Sequence, residues 1–512
     1  MGDYILSSVV NVFSFPALGG FLFGYDIGAT SFVVQQIIDG EHSGVTWSKT
    51  LDDNIQLQGA VTSASVLGAL IASIMVFKLS VIIGRKAELQ IGSLLYLLGA
   101  VVEGISANSS WDANSGITVL IIGRIIYGLG IGFSMHGAPA YIGEMSPPDI
   151  RGFLMSLKEA AIVVGILAGY LVGFLLSNTN GGWGYTFGVA VIPAGLMFLG
   201  CMFLHESARW LFQAGRKEEA LASLTWVFPA SKAEQTLEEF RAQDEGNKAA
   251  HKAEAGGEEE AAPTVWDPRF RPALIAGVGL VFLQQVTGQP SVLYYAAEIF
   301  DSAGLSSVAT VAMAAFKLFM TMLAVFTVDR YGRKLLLYVG ISVMFVSLLT
   351  LAVAFSQMPT DSDSGDGDSD SSLSGTKIVV LVALFTYIGG YQIGFGPIAW
   401  LLIAEVFPME VRGQAVSLAV QTNFFWNVVT SYLFPLILDA LGPAYTFGLF
   451  GAIDLLALYH VFANVPETKG LTLEEIEQLF NPKTAGGRMV SSVSAVDRTP
   501  LLQSEEDDNR SM

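Results

Sequence analysis

Charged side chains inside long apolar stretches are the first residues here that could do chemistry. Asp26 stands in Phe23-Gly24-Tyr25-Asp26-Ile27-Gly28, with about ten mostly apolar positions on either side, and Arg124 follows Gly123 early in another apolar run. A charge at bilayer depth is expensive and marks a functional site by default. Burial favours the neutral form of a carboxyl, whereas a neighbouring guanidinium favours the ionised form. A carboxyl held between those two pulls can load and release a proton. The competing reading of Asp26 and Arg124 is a permanent ion pair that joins two helices. Two further charges, Glu159 and Lys317, fall one in each half of the chain. They could neutralise each other in one conformational state, because either ion alone would be costly to bury. Glu103 lies nearer the end of its stretch and is expected to snorkel or meet a loop. His136, beside Gly137, reads as a packing histidine rather than a proton relay.

A second set of residues suits a neutral, hydroxyl-rich ligand. Gln284-Gln285-Val286-Thr287-Gly288-Gln289-Pro290-Ser291 precedes Tyr294-Tyr295, and amides offer both donors and acceptors. The Gly and Pro there predict a broken helix whose freed backbone groups need a cavity or protein neighbours. Gln392 and Trp400 flank Gly394-Phe395-Gly396-Pro397, and the indole offers a flat apolar platform for the C–H face of a sugar ring. Asn423 and Asn427 lie four apart, on one helix face.

The elements that position these groups follow from composition. Of 512 residues, 52% are hydrophobic and 14% charged, and mean hydropathy is +0.52. Soluble proteins carry about 25% charged residues. This surplus of apolar residues supplies about twelve spans of ~20 residues each. They are read near 10–37, 55–79, 88–107, 117–142, 153–177, 184–205, 272–300, 308–328, 335–357, 376–403, 413–439 and 442–465. The first is expected to be a retained helix, not a cleaved signal. The fold class predicted is an all-α membrane protein of twelve transmembrane helices. The domains expected are a first six-helix half (1–206), a linker with short helices (207–271), a second half (272–466) and a tail (467–512). A net charge of −19 argues against nucleic acid as partner. The single cysteine, Cys201, excludes an internal disulfide framework. Lys78, Arg85, Lys86, Arg151, Lys158, Arg330, Arg333 and Lys334 cluster at breaks after even-numbered spans, which puts both termini in the cytoplasm. The sequon Asn108-Ser109-Ser110 then falls on the opposite side. Residues 228–262 read as short surface helices and a tether. Residues 361–372, rich in Asp and Ser, lack the closing Glu of a Ca²⁺ loop and read as a solvated linker.

The chain repeats itself. Glu144-x₆-Arg151-Gly152 recurs as Glu405-x₆-Arg412-Gly413, 261 residues later. Glu206, near Arg209, and Glu467 are also 261 apart, and Gly84-Arg85-Lys86 recurs as Gly332-Arg333-Lys334. Three matched stations imply two pseudo-symmetric six-helix halves around a midplane site, the architecture of alternating-access carriers. Charged residues at these helix ends can pair with neighbouring helices and hold one face shut; the plainer reading is that they are topological anchors. The first-half Val81-Ile82-Ile83-Gly84-Arg85 is degraded relative to Asp329-Arg330-Tyr331-Gly332-Arg333, which predicts a weaker latch in the first half.

Taken together, Phe-Gly-Tyr-Asp, the Gly-Arg of span four, Gln-Gln-x-x-Gly, Gly-Pro-Ile-x-Trp and Pro-Glu-Thr-Lys-Gly resemble the sugar porter family of the major facilitator superfamily. Phe15–Gly20, Gln284–Tyr295 and Pro466–Ile476 point to its branch of plant vacuolar glucose transporters and D-xylose–proton symporter-like proteins. The resemblance implies the major facilitator fold and sugar contacts from Gln284, Gln285, Gln289, Tyr294, Gln392, Trp400 and Asn423, with Glu159 and Lys317 at neighbouring cavity positions. It implies that Asp26 with Arg124 couples transport to protons, since passive relatives usually carry an amide at Asp26. The repeated helix-end charges are read as gating residues: Arg85, Glu144, Arg151, Glu206, Arg209, Asp329, Arg330, Arg333, Glu405, Arg412 and Glu467. Glu159 stands where the family usually has Gln, Pro290 and Lys317 where it has Asn, and Gln392 where many relatives have Glu.

The function expected is proton-coupled movement of a monosaccharide across a membrane, with the sugar, protons and the bilayer as partners and no cofactor or metal. A passive uniporter and a sugar sensor that does not transport are the alternatives. No nucleotide loop, metal cluster or nucleophile–base set suggests an enzyme. Asp497-x₃-Leu501-Leu502 fits the acidic dileucine pattern that sorting adaptors read, which suggests a vacuolar or lysosomal membrane, with the plasma membrane as alternative.

Overall fold

The computed structural model describes residues 4–254, 264–358, 375–471 and 473–480. In lipid every backbone polar group must be satisfied within its own segment, and the apolar runs accordingly form helices. The first half comprises α1 (Leu6–Ile38), α2 (Ile55–Ile83), α3 (Arg85–Ser106), α4 (Ala113–Met145), α5 (Pro148–Leu176) and α6 (Gly182–Phe203). The second begins with α7, in three pieces (Arg271–Val286, Gln289–Tyr294, Ala296–Ser302), followed by α8 (Val308–Tyr331) and α9 (Arg333–Ser356). Next comes α10, in two pieces (Gly375–Ile393, Phe395–Val406). The last helical stretch, Met409–Asn464, would be ~84 Å long if straight, far more than a bilayer. It breaks at Gly442, whose φ of 75° and following Pro443 separate α11 (409–441) from α12 (443–464). The described residues thus contain the expected twelve spanning helices.

The break predicted in α7 occurs, and a second one lies in α10. Gly288, at φ 93°, ends the first piece of α7, and Gly394 separates the two pieces of α10. The stretch expected to hold only short surface helices contains a 25-residue helix, Ala230–Glu254, preceded by Ala208–Gln213 and Lys217–Val227. Residues 361–372 and the dileucine residues Asp497, Leu501 and Leu502 lie outside the described residues.

Glycines set how closely the helices approach, because small residues let backbones meet where no hydrophobic drive separates helix from lipid. On α1 and α5, Gly24 and Gly28 mesh with Gly165 and Gly169. A Cβ on Gly24 would lie 1.8 Å from the Ile162 carbonyl oxygen, and one on Gly165 would lie 2.0 Å from that of Phe21. Between α2 and α4, a Cβ on Gly128 would lie 1.9 Å from the Ser65 carbonyl oxygen. The close contacts of α1 with α5 and of α2 with α4 flank Asp26, Ser65 and Arg124. The halves meet at the end remote from Arg85 and Arg333. There Tyr170 Oη donates to the Leu293 carbonyl at 2.6 Å, and the Ala297 N–H donates to Ser31 Oγ at 2.9 Å.

Candidate functional site

Asp26 and Arg124 meet inside the first half, as their placement in apolar runs predicts. Arg124 Nη1 lies 3.2 Å from Asp26 Oδ1, and Ser65 Oγ donates to Asp26 Oδ2 at 2.7 Å. The guanidinium also donates to the Val61 carbonyl at 2.5 Å, to the Thr62 carbonyl at 3.2 Å and to Ser65 Oγ at 3.0 Å. The Phe187 ring of α6 lies 5.2 Å from its centre. Every face of Arg124 is therefore occupied, as a buried ion requires. Asp26 is 2% exposed and Arg124 0%. The carboxyl faces α2 and α4 and not lipid, but it is sealed and does not border open solvent in this state. Tyr25, Tyr96 and Tyr127 close the surroundings, donating to the carbonyls of Thr186, Gly19 and Leu22.

The second half gathers the amides. Gln284 and Gln285 end the first piece of α7, and Gln289 begins the next; all three are buried, as is Tyr294. Gln284 Nε2 donates to the Phe395 carbonyl at 3.0 Å, joining the broken part of α7 to the break in α10. Gln285 Oε1 is buried without a hydrogen-bond partner, free for an incoming hydroxyl. Gln392 sits between α8 and α10: Lys317 Nζ donates to its Oε1 at 2.7 Å, and its Nε2 donates to Thr321 Oγ1 at 2.6 Å. Lys317 also lies 5.3 Å over the Tyr391 ring. Trp400 and Asn423 are half-buried, and Asn427 Oδ1 accepts from Ser431 Oγ at 3.2 Å. Phe23 of α1 meets Phe424 of α11 edge-on at 6.2 Å, linking the helix of Asp26 to that of Asn423.

Glu159 and Lys317 do not pair in this structure. Glu159, half-exposed, bonds the adjacent Lys158 at 2.7 Å, while the Lys317 ammonium is taken up by the Gln392 amide. Glu103 neither snorkels nor reaches a loop; it is 1% exposed, because α3 packs on α4 at Gly123. His136 Nδ1 lies 2.8 Å from the fully buried Glu88.

The repeated stations build the same cluster twice. Arg85 Nη2 lies 3.2 Å from Glu144, and Arg333 Nη2 lies 2.9 Å from Glu405. Glu206 accepts from the N–H groups of Arg85, Lys86 and Ser207 at 2.8–2.9 Å, and Glu467 accepts from those of Arg333, Lys334 and Thr468 at 3.0–3.1 Å. Each carboxylate thereby caps the N-terminus of α3 or α9, where orphan N–H groups and the helix dipole favour an anion. Burial raises the Glu206 carboxyl above its ordinary range, against the pull of those three N–H groups and Arg85. Ser207 bonds Glu144, and Thr468 bonds Glu405. The first-half set forms without the missing acid, from backbone N–H groups and Arg85. Arg151 and Arg412 turn back on the carbonyls of Ser146 and Phe407, and Arg209 is exposed. The exposed Arg330 offers its carbonyl to Lys469, and the side chain of Asp329 lies outside the described residues.

Sequence reading missed Ser65, Thr321, Ser207, Thr468 and Asp454. Ser207 and Thr468 are themselves 261 apart, a signal within reach. Asp454 of α12 is fully buried with both carboxyl oxygens unpartnered, and it too stands alone in an apolar run.

Residues 12–480 match the family described as "Sugar (and other) transporter". The chain is 41% identical over 488 residues to D-xylose-proton symporter-like 3, chloroplastic, of Arabidopsis thaliana, covering 92% of this chain and 82% of that protein. It is 40% identical over 494 residues to D-xylose-proton symporter-like 2 of the same plant, covering 93% and 91%. Among solved structures it is similar to the inward open conformation of the xylose transporter XylE from E. coli, with a TM-score of 0.73 and 27% identity over 92% of this chain and 99% of that one. A two-half bundle of twelve spans, with a buried ion pair in one half and clustered amides in the other, accords with those matches: the chain belongs to the sugar transporter family of the major facilitator superfamily and is a multi-pass membrane sugar transporter.

Proposed function

We propose that this transporter moves a neutral monosaccharide together with a proton by alternating access. The observation that carries the proposal is the enclosed Asp26–Arg124–Ser65 cluster, a titratable carboxyl held by a cation inside the bundle. Burying such a pair gives weak stability for its cost, so a working role explains it better than helix joining. The sugar site is assigned to Gln284, Gln285, Gln289, Tyr294, Gln392, Trp400 and Asn423, with Glu159 and Lys317 at its edges. Amides and aromatic faces match hydroxyls and C–H faces, and the relatives named for xylose support a pentose or hexose.

The two helix-end clusters are assigned to the cytoplasmic side, with both termini, on the distribution of basic residues. The halves are hydrogen-bonded at the opposite end, and the half-exposed Glu159 lies toward the clusters; both fit an inward-facing state. The clusters then act as latches that hold or release that face. The acidic dileucine pattern supports delivery to a vacuolar membrane by a sorting adaptor. Uptake of labelled xylose, glucose and related sugars into proteoliposomes, with and without an imposed pH step, tests the proposal. Sugar accumulation above equilibrium only with the pH step is expected; mere equilibration under both conditions would overturn it.

A further inference from the structure

Glu103 lies on α3, three residues before that helix ends at Ser106, and is 1% exposed. A Cβ on Gly123 would meet its backbone nitrogen at 2.9 Å and its Cγ at 3.0 Å, and Gly123 directly precedes Arg124. One oxygen, Oε1, is buried with no hydrogen-bond partner. The titratable groups in electrostatic reach are Arg124 and Tyr127 on α4 and Asp26 and Tyr25 on α1. From α6, Gly184 and Gly188 pack near Gly104 and bring no charge. The Glu103 carboxyl therefore lies buried beside the Asp26–Arg124 pair without an ion pair of its own. With both carboxyls ionised, the cluster would carry an uncompensated negative charge away from water, and a single bound proton removes that charge. Asp26 takes the guanidinium and the Ser65 hydroxyl, so the bare Glu103 is the carboxyl suited to the neutral form.

Resting on the proton-coupled reading above, we propose that Glu103 is the second carboxyl of the coupling site. It holds the exchangeable proton while Asp26 is paired with Arg124. When Asp26 takes a proton, Glu103 gives its own up and becomes the counter-ion of Arg124. The guanidinium is never left bare: Asp26 takes its proton from the side where protons are concentrated, Glu103 releases its own toward the other side, and Asp26 then passes its proton to Glu103 as it pairs again with Arg124, so one proton crosses per cycle. Glu103 is thus a proton-binding residue that neither touches sugar nor belongs to the Asp26 pair.

Full-length wild type and Glu103→Gln, reconstituted in proteoliposomes, test this. The variant is expected to keep equilibrium exchange of labelled sugar while accumulation driven by a pH step falls by roughly tenfold, within the range of a lost coupling interaction. Glu103→Asp is expected to restore part of the accumulation. The infrared carbonyl stretch of a protonated carboxyl is expected to weaken in the Glu103→Gln difference spectrum. Unchanged accumulation and an unchanged carbonyl band would overturn the proposal, and so would loss of exchange together with accumulation, which marks a structural residue. Asp26→Asn run in parallel separates the two readings. If it too leaves accumulation intact, proton coupling itself fails; if it abolishes accumulation while Glu103→Gln does not, only the role of Glu103 fails.

Discussion

Replacing Gly24 by Ala tests whether the close approach of α1 and α5 positions Asp26. A Cβ there would lie 1.8 Å from the Ile162 carbonyl oxygen, whereas ordinary contact begins at 3.4 Å. The helices must part locally by about 1.6 Å, the difference of those two distances, since no rotamer of a methyl group relieves a clash with backbone. Overpacking of this kind costs about 1–3 kcal/mol. The displaced segment carries Asp26 two residues on, whose 3.2 Å contact with Arg124 would not survive a shift of that size. Gly24→Ala is therefore expected to lower the melting temperature in detergent and to impair pH-driven sugar accumulation. Gly195 of α6 is the control: its added methyl meets nothing within 4 Å, and Ala there is expected to stabilise by about 0.5–1 kcal/mol. Thermal unfolding followed by intrinsic fluorescence, with uptake into proteoliposomes, reads both effects. If Gly24→Ala melts and transports like Gly195→Ala, the packing argument is wrong.

Two further perturbations probe the rest of the framework. Because burial raises the Glu206 carboxyl, the folded chain holds a proton at pH values where the unfolded chain has released it. Stability should fall as pH rises from the ordinary carboxyl range through the raised value of Glu206, and Glu206→Gln should flatten that slope in melts taken across pH. An unaltered slope would refute this reading. In the sugar half, Gln392→Leu leaves the Lys317 amine buried without its amide acceptor and is expected to cost about 1–3 kcal/mol, as leaving a buried donor unsatisfied does. Lys317→Met in the same background should recover much of that loss in the melting temperature; no recovery would show that the damage lies elsewhere.

Much of this architecture was legible in the residues alone. Asp26 and Arg124 stood out because a charge in an apolar run has few tolerable surroundings, and each supplied what the other needed. The helix-end clusters were legible through the repeat at 261, which preserved Glu144 with Glu405 and Glu206 with Glu467. Ser65 was not, since a serine in a helix carries no unusual signal until Gly128 lets α4 approach closely enough for its hydroxyl to bridge the pair. Glu103 was misplaced for a related reason. Its position along its own helix points to a membrane face, whereas its burial depends on how α3 packs against α4 at Gly123. The Glu159–Lys317 pairing, expected for one conformational state, is not formed in this one, where Lys158 and Gln392 are the nearer partners.

The most direct test of proton coupling is Asp26→Asn in sealed proteoliposomes, measured for both sugar accumulation under a pH step and sugar exchange without one. The account requires that accumulation be lost while exchange persists, because the amide keeps the shape of the site but holds no exchangeable proton. Accumulation at the wild-type level in that variant would contradict it.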